Sequence, residues 1–106
     1  MPKETTITLK GASGRTYEFN VYPWGTSFKP LGAVYAVLKK PPSNFTILYI
    51  GQTGDLSTRF DDHHKQACFD RNGKTHIGIH LESTESGRLA IEADLLANYS
   101  LVCNDQ

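Results

Sequence analysis

The chain has 106 residues and no excess of charge of either sign: 11 Lys and Arg offset 11 Asp and Glu. That balance argues against a strongly basic, non-specific nucleic-acid binder and leaves such contacts to a local patch. No apolar run approaches the ~20 residues of a membrane-spanning helix. The opening Pro2-Lys3-Glu4-Thr5 leads into a polar, alternating segment without signal-like character. Cysteine is scarce: Cys68 and Cys103 lie far apart and form no C-x-x-C. A zinc site or disulfide framework is therefore not expected, and free thiols in a reducing, cytoplasmic compartment are. The chain has no P-loop, no G-x-G-x-x-G, no repeats, no low-complexity segment and no evident Ser/His/Asp or Cys/His pair. What is present is a hydrophobic fraction of 39%, enough for one globular domain with one core.

Taken in order, residues 4–22 read as a β-hairpin. Ile7 and Leu9 alternate with polar neighbours, Gly11-Ala12-Ser13-Gly14 turns the chain, and Tyr17, Phe19 and Val21 alternate again. Trp24 and Phe28 sit in a connector and are expected to pack across the edge of the core. Ala33-Val34-Tyr35-Ala36-Val37-Leu38 is apolar on both faces, which predicts a central strand covered on both sides. Pro41 and Pro42 end it, and Phe45–Ile50 is expected to return antiparallel, with Tyr35 and Tyr49 sharing a face.

A tight glycine turn at Gly51–Gly54 is expected next. One helix should follow, with Asp55 as N-cap, Leu56, Phe60 and Ala67 facing inward, and Arg59 and His63 one turn apart on one side. His76-Ile77-Gly78-Ile79-His80-Leu81 alternates as a strand, with Ile77, Ile79 and Leu81 toward the core and both histidines toward solvent. The last helix opens at Thr84-Glu85 and shows an apolar arc that includes Leu89, Leu95 and Tyr99, with Glu92 near its middle. A carboxylate there needs a cation. Arg88, Arg59 or a divalent metal are the choices. Asn104, in the tail, is a possible hydrogen-bond brace.

Tyr35, Tyr49, Arg59, His63 and Glu92 form a set suited to a phosphate. A guanidinium binds two phosphate oxygens and stays charged. One carboxylate can hold Mg²⁺, which keeps its waters and adds phosphate oxygens. A phenol acts as general base only where cations lower its pKa from about 10.

On these residues the sequence resembles the GIY-YIG endonuclease superfamily. Ala33-Val34-Tyr35 stands for the first triplet, with Ala where the family usually has Gly, and Tyr49-Ile50-Gly51 for the second. Gln52-Thr53, Asp55-Leu56, Arg59, His63, Glu92 and Asn104 continue the pattern, which runs from Gly32 to Asn104. The resemblance implies an α+β fold: a central antiparallel three-stranded sheet (33–39, 45–50, 76–81) flanked by helices, with the hairpin 4–22 as an extension. It implies metal-dependent hydrolysis of DNA phosphodiester bonds. Glu92 would bind Mg²⁺ or Mn²⁺, and the metal would stabilise the leaving 3′ oxygen. Tyr35 would activate water, Tyr49 would position water or phosphate, Arg59 would stabilise phosphate charge, and His63 would assist proton transfer. Gly51 and Asn104 join the substrate-binding residues. A neutral domain would recruit DNA through a patch of Lys39, Lys40, Lys65, Lys74 and Arg88, or through a protein partner or homodimer. A non-catalytic nucleic-acid-binding module and a protein-interaction module on the same fold are the alternatives.

Overall fold

The computed structural model describes residues 4–40, 45–60 and 64–104. Its elements are β1 (Thr5–Lys10), β2 (Thr16–Pro23), β3 (Ala33–Lys39), β4 (Thr46–Thr53), α1 (Leu56–Arg59), α2 (Gln66–Arg71), β5 (His76–Leu81) and α3 (Glu85–Asn98). The strands form one antiparallel sheet in the order β1-β2-β5-β3-β4. The sheet thus has five strands, not the three expected. The β1–β2 hairpin does not stand apart: β2 pairs with β5 from Asn20↔Ile79 to Pro23↔His76 and continues the ladder.

The apolar run of β3 explains its place beside β5 and β4. Every residue from Ala33 to Leu38 is buried, as a strand with both faces covered requires. Ala33, Tyr35 and Val37 face one core with Leu56, Phe69 and Ile77. Val34, Ala36 and Leu38 face a second with Phe19, Ile50 and Leu95. Helix α3 closes this second side, packing on β4, β3 and β1. The register of β3 and β4 slips between Val37↔Tyr49 and Leu38↔Ile47, leaving Leu48 as a bulged residue. Leu48 and Tyr49 accordingly enter the same core, the re-aiming of a side chain that a bulge achieves.

Leu81 and Leu89, expected toward the core, are exposed. Three further local expectations change. First, β4 runs on to Thr53 and Gly51 pairs with Tyr35 inside the ladder, so no glycine turn follows Ile50. Second, the single helix after Asp55 is two short ones. Asp55 does cap α1, its carboxylate accepting from the Ser57 N–H at 2.8 Å. But α2 begins afresh at Gln66 and turns Cys68 and Phe69 inward, leaving Ala67 exposed. Third, His76 is buried: its Nε2 lies 3.0 Å from Glu4 Oε1 and its Nδ1 2.8 Å from Thr75 Oγ1.

The cysteines are not free. Cys68 of α2 and Cys103 of the tail form a disulfide with a Cα–Cα distance of 5.8 Å. Sequence spacing cannot disclose it, because the approach of residues 35 positions apart is made by the fold. The tail then closes the open edge of β4. The Cys103 N–H donates to Leu48 O at 3.0 Å. The Asn104 amide spans Ile50, accepting from its N–H and donating to its carbonyl, both at 2.9 Å. A side chain here stands in for a neighbouring strand on an edge that would otherwise expose these groups. Asn104→Ala is expected to lower unfolding free energy by about 1–3 kcal/mol, measured by urea denaturation. An unchanged midpoint would show the brace to be dispensable.

Among the described residues, no helix is long and apolar enough to cross a membrane.

Candidate active site

Strand alternation brings the two tyrosines together. Tyr35 lies opposite Gly51, and Tyr49 two residues earlier on the same face of β4. Their ring centroids are 6.0 Å apart. Gly51 makes room for both: a Cβ there would come within 2.7 Å of the Tyr35 Oη and 2.8 Å of Tyr49 Cε2. Its role in the structure is thus clearance for the rings, at a strand position and without a positive φ.

Arg59 ends α1 over this pair. Its Nε–H donates to the Tyr35 hydroxyl at 2.9 Å, and its Cζ lies 5.7 Å from the Tyr35 ring centroid. The Phe60 ring meets Tyr35 edge-on at 5.0 Å. Glu92, on α3, is half-buried and lies within electrostatic reach of Tyr49 and Arg59: its charge acts on Tyr49, and the Arg59 charge acts on it. Three elements, β3, β4 and α1, therefore bring Tyr35, Tyr49 and Arg59 together, and Glu92 of α3 is linked to Tyr49 and Arg59 through charge. His63 lies outside the described residues. Its neighbour His64 is described, with its ring edge-on to Tyr49 at 6.4 Å. The pattern drew attention to His63 alone, although the His63-His64 doublet was the available signal.

The electrostatics differ from the expectation that cations would lower the phenol pKa. Tyr35 is wholly buried, and burial pushes its phenol above the ordinary value of 10.0, outweighing the Arg59 hydrogen bond and charge that pull it down. Tyr49 is 8% exposed. Burial raises its phenol too, against the nearby Arg59 charge. The Glu92 carboxyl is raised by its half-burial and lowered by Arg59. The Arg59 charge opposes the effect of burial on Glu92 without offsetting it.

Arg88 is committed elsewhere. It is only 7% exposed. Its Nε donates to Gln52 Oε1 at 3.0 Å, and its Nη1 to the carbonyls of Glu82 and Ser83 at 3.1 and 3.0 Å. This guanidinium ties the start of α3 to β4 and is no surface contact.

No protein-family model matches the chain, and neither does any curated protein or solved structure.

The lysines do not gather at the tyrosines. Lys39 ends β3 four residues beyond Tyr35, about 13 Å away by strand rise. Lys40 pairs with Glu4 at 4.0 Å. Lys74 pairs with Asp70 and stands 4.7 Å over the Trp24 ring. Lys65 precedes α2 as its N-cap residue. Asn104 spends its amide on Ile50, the brace reading. On the remaining face of β5, His80 Nδ1 lies 2.8 Å from Glu18 O, between the rings of Tyr17 and Phe19.

Among the described residues, no group of three or more His, Cys, Asp and Glu could hold a metal ion. A closed tetrahedral zinc centre is not built from these groups. A single half-buried carboxylate suits Mg²⁺ or Mn²⁺ only as an ion taking most of its ligands from water and phosphate. The residues present fit such an ion.

Proposed function

We propose that the protein is a metal-dependent endonuclease that hydrolyses DNA phosphodiester bonds on a GIY-YIG-like fold. The observation that supports this most is the meeting of Tyr35, Tyr49 and Arg59 from three separate elements, with the half-buried Glu92 carboxylate linked to Tyr49 and Arg59 through charge. A packing role alone does not require an arginine and two phenols at one place with a carboxylate in electrostatic reach.

In this reading Arg59 faces the scissile phosphate and offsets the charge that builds on its oxygens. Its bond to Tyr35 holds the guanidinium in one orientation, so little reorganisation accompanies substrate binding. Tyr49, the less buried of the two phenols, positions the attacking water or the phosphate. Tyr35 is assigned to accept the water's proton, with Arg59 favouring its phenolate and burial opposing it. His63 is assigned to proton transfer or phosphate contact. Glu92 would hold the Mg²⁺ or Mn²⁺. When bound, the ion supplies positive charge to the leaving 3′ oxygen. Lys39, Lys40 and Lys65 are assigned to flanking DNA backbone, with a protein partner or second copy adding affinity, which salt should weaken.

One observation favours a second reading, a nucleic-acid-binding module that does not cut. The burial that raises the Tyr35 phenol disfavours the phenolate a base must reach. Cleavage of branched, single-stranded and supercoiled DNA with Mg²⁺, Mn²⁺ or chelator separates the two. Cleavage that stops in chelator is the expected result. Binding of all three substrates without cleavage in either metal would replace the enzyme by the binding module.

A further inference from the structure

Next to the tyrosines lies a cleft that the proposed chemistry does not use. The chain beyond β2 brings Trp24 and Phe28 to Phe60, which directly follows Arg59. Trp24 and Phe60 meet at 5.8 Å and 68°, and Phe28 and Phe60 at 6.0 Å and 59°. All three rings pack on the core below Tyr35, as expected for the two in the connector, yet stay only partly buried. They line a cleft of about 130 Å³ whose lining also includes Thr26, Ser27 and Ser57, the Ser57 hydroxyl donating to the Asp55 carboxylate.

Its composition is unusual for a gap in packing. A void between apolar side chains would have no polar residues in its lining, whereas this one has Thr26, Ser27 and Ser57 among the aromatic rings. None of these ring pairs is parallel-stacked, and Lys74 Nζ already stands 4.7 Å over the Trp24 ring, which leaves the Phe28 and Phe60 rings to carry a flat guest. Phe60 fixes the distance to the phosphate chemistry, because its ring touches Tyr35 and its neighbour is Arg59. A planar, polar-edged heterocycle one residue from a guanidinium that faces a phosphate is a nucleotide.

We propose that the Trp24–Phe28–Phe60 cleft is a stacking subsite for one unpaired nucleobase of a DNA strand whose phosphate lies at Arg59. The proposal rests on the nucleic-acid reading of the site and names the substrate class within it: a single-stranded or unpaired segment and not a continuous duplex. Stacking on aromatic side chains tolerates any base, so the subsite selects for an unpaired base and not for its identity.

Trp24 is the single tryptophan of the chain, so its emission reports on the cleft directly. The full chain would be titrated in chelator, which prevents metal-dependent cleavage, with a short oligothymidylate and with an abasic strand of the same length and phosphate count. The expected result is quenching of Trp24 by the base-bearing strand only, with binding about tenfold or more tighter than for the abasic strand. Phe28→Ala should close that gap, while Arg59→Ala weakens both strands alike. Equal binding of the two strands with unmoved Trp24 emission would overturn the subsite and leave the nucleic-acid reading standing. Absence of binding by either strand would overturn both. The comparison of strands on the unaltered protein holds even if Phe28→Ala fails to fold.

Discussion

Replacing Arg59 by Ala is expected to slow DNA cleavage by about a hundred- to a thousandfold, the loss typical of removing one group that stabilises charge in a transition state. Glu92→Ala should cost at least as much, because it removes the single carboxylate assigned to the metal, and no group of three or more His, Cys, Asp and Glu among the described residues could replace it. Arg59→Lys should recover little of the activity. A lysine keeps the charge, but it cannot donate to the Tyr35 hydroxyl and fork two phosphate oxygens at once. Tyr35→Phe tests the division of labour. It removes both the assigned proton acceptor and the bond that orients Arg59. Single-turnover rates at saturating DNA would measure all four variants, with DNA affinity measured separately. If Arg59→Ala cut at the parental rate, the guanidinium would not face the reacting phosphate and the proposed mechanism would fall. If Tyr35→Phe alone kept that rate, its phenol would be a structural group behind Arg59.

Much of this site was legible because β-strand alternation is strict. Tyr35 and Tyr49 were placed on a shared face from sequence, and the ladder puts them there by pairing Tyr35 with Gly51. The limits of β5 were also legible, since six residues alternate cleanly between a polar turn and a helix cap. What local pattern cannot carry is pairing between distant segments. Nothing in the residues 16–23 states that they lie against β5, so the hairpin seemed an appendage when it extends the sheet. The break between α1 and α2 was hidden for a different reason. Leu56, Phe60 and Ala67 fit one helical stripe, yet the core is filled by Cys68 and Phe69 from a second start. His76 was read as a surface group, and Arg88 as a partner for Glu92 or a surface contact for DNA, because charge and polarity usually mean exposure. Their carbonyl, amide and carboxylate partners, which make burial tolerable, are contributed by other elements.

Breaking the disulfide is expected to be the largest single loss of stability in the molecule. Cys68 and Cys103 close a loop across a separation of 35 residues, for which the chain-entropy model gives about 3–4 kcal/mol. For a chain of this size that is a fall of about 10–20 °C in Tm. The bond also serves the candidate site. On one side it holds α2, whose Phe69 packs against the Tyr49 ring at 5.4 Å. On the other it holds the tail, whose Cys103 and Asn104 cover the β4 edge at Leu48 and Ile50, the residues flanking Tyr49. Reduction should therefore loosen Tyr49 first, seen as faster amide exchange at Leu48–Ile50 while β5 stays protected. The Cys68→Ser/Cys103→Ser variant should match the reduced protein and be indifferent to dithiothreitol, because only the covalent link differs. Thermal denaturation with and without reductant, beside a mass measurement of free thiols, decides the matter. Two free thiols in the native oxidised sample, or a Tm unmoved by reductant, would return Cys68 and Cys103 to the unlinked pair that their spacing suggests.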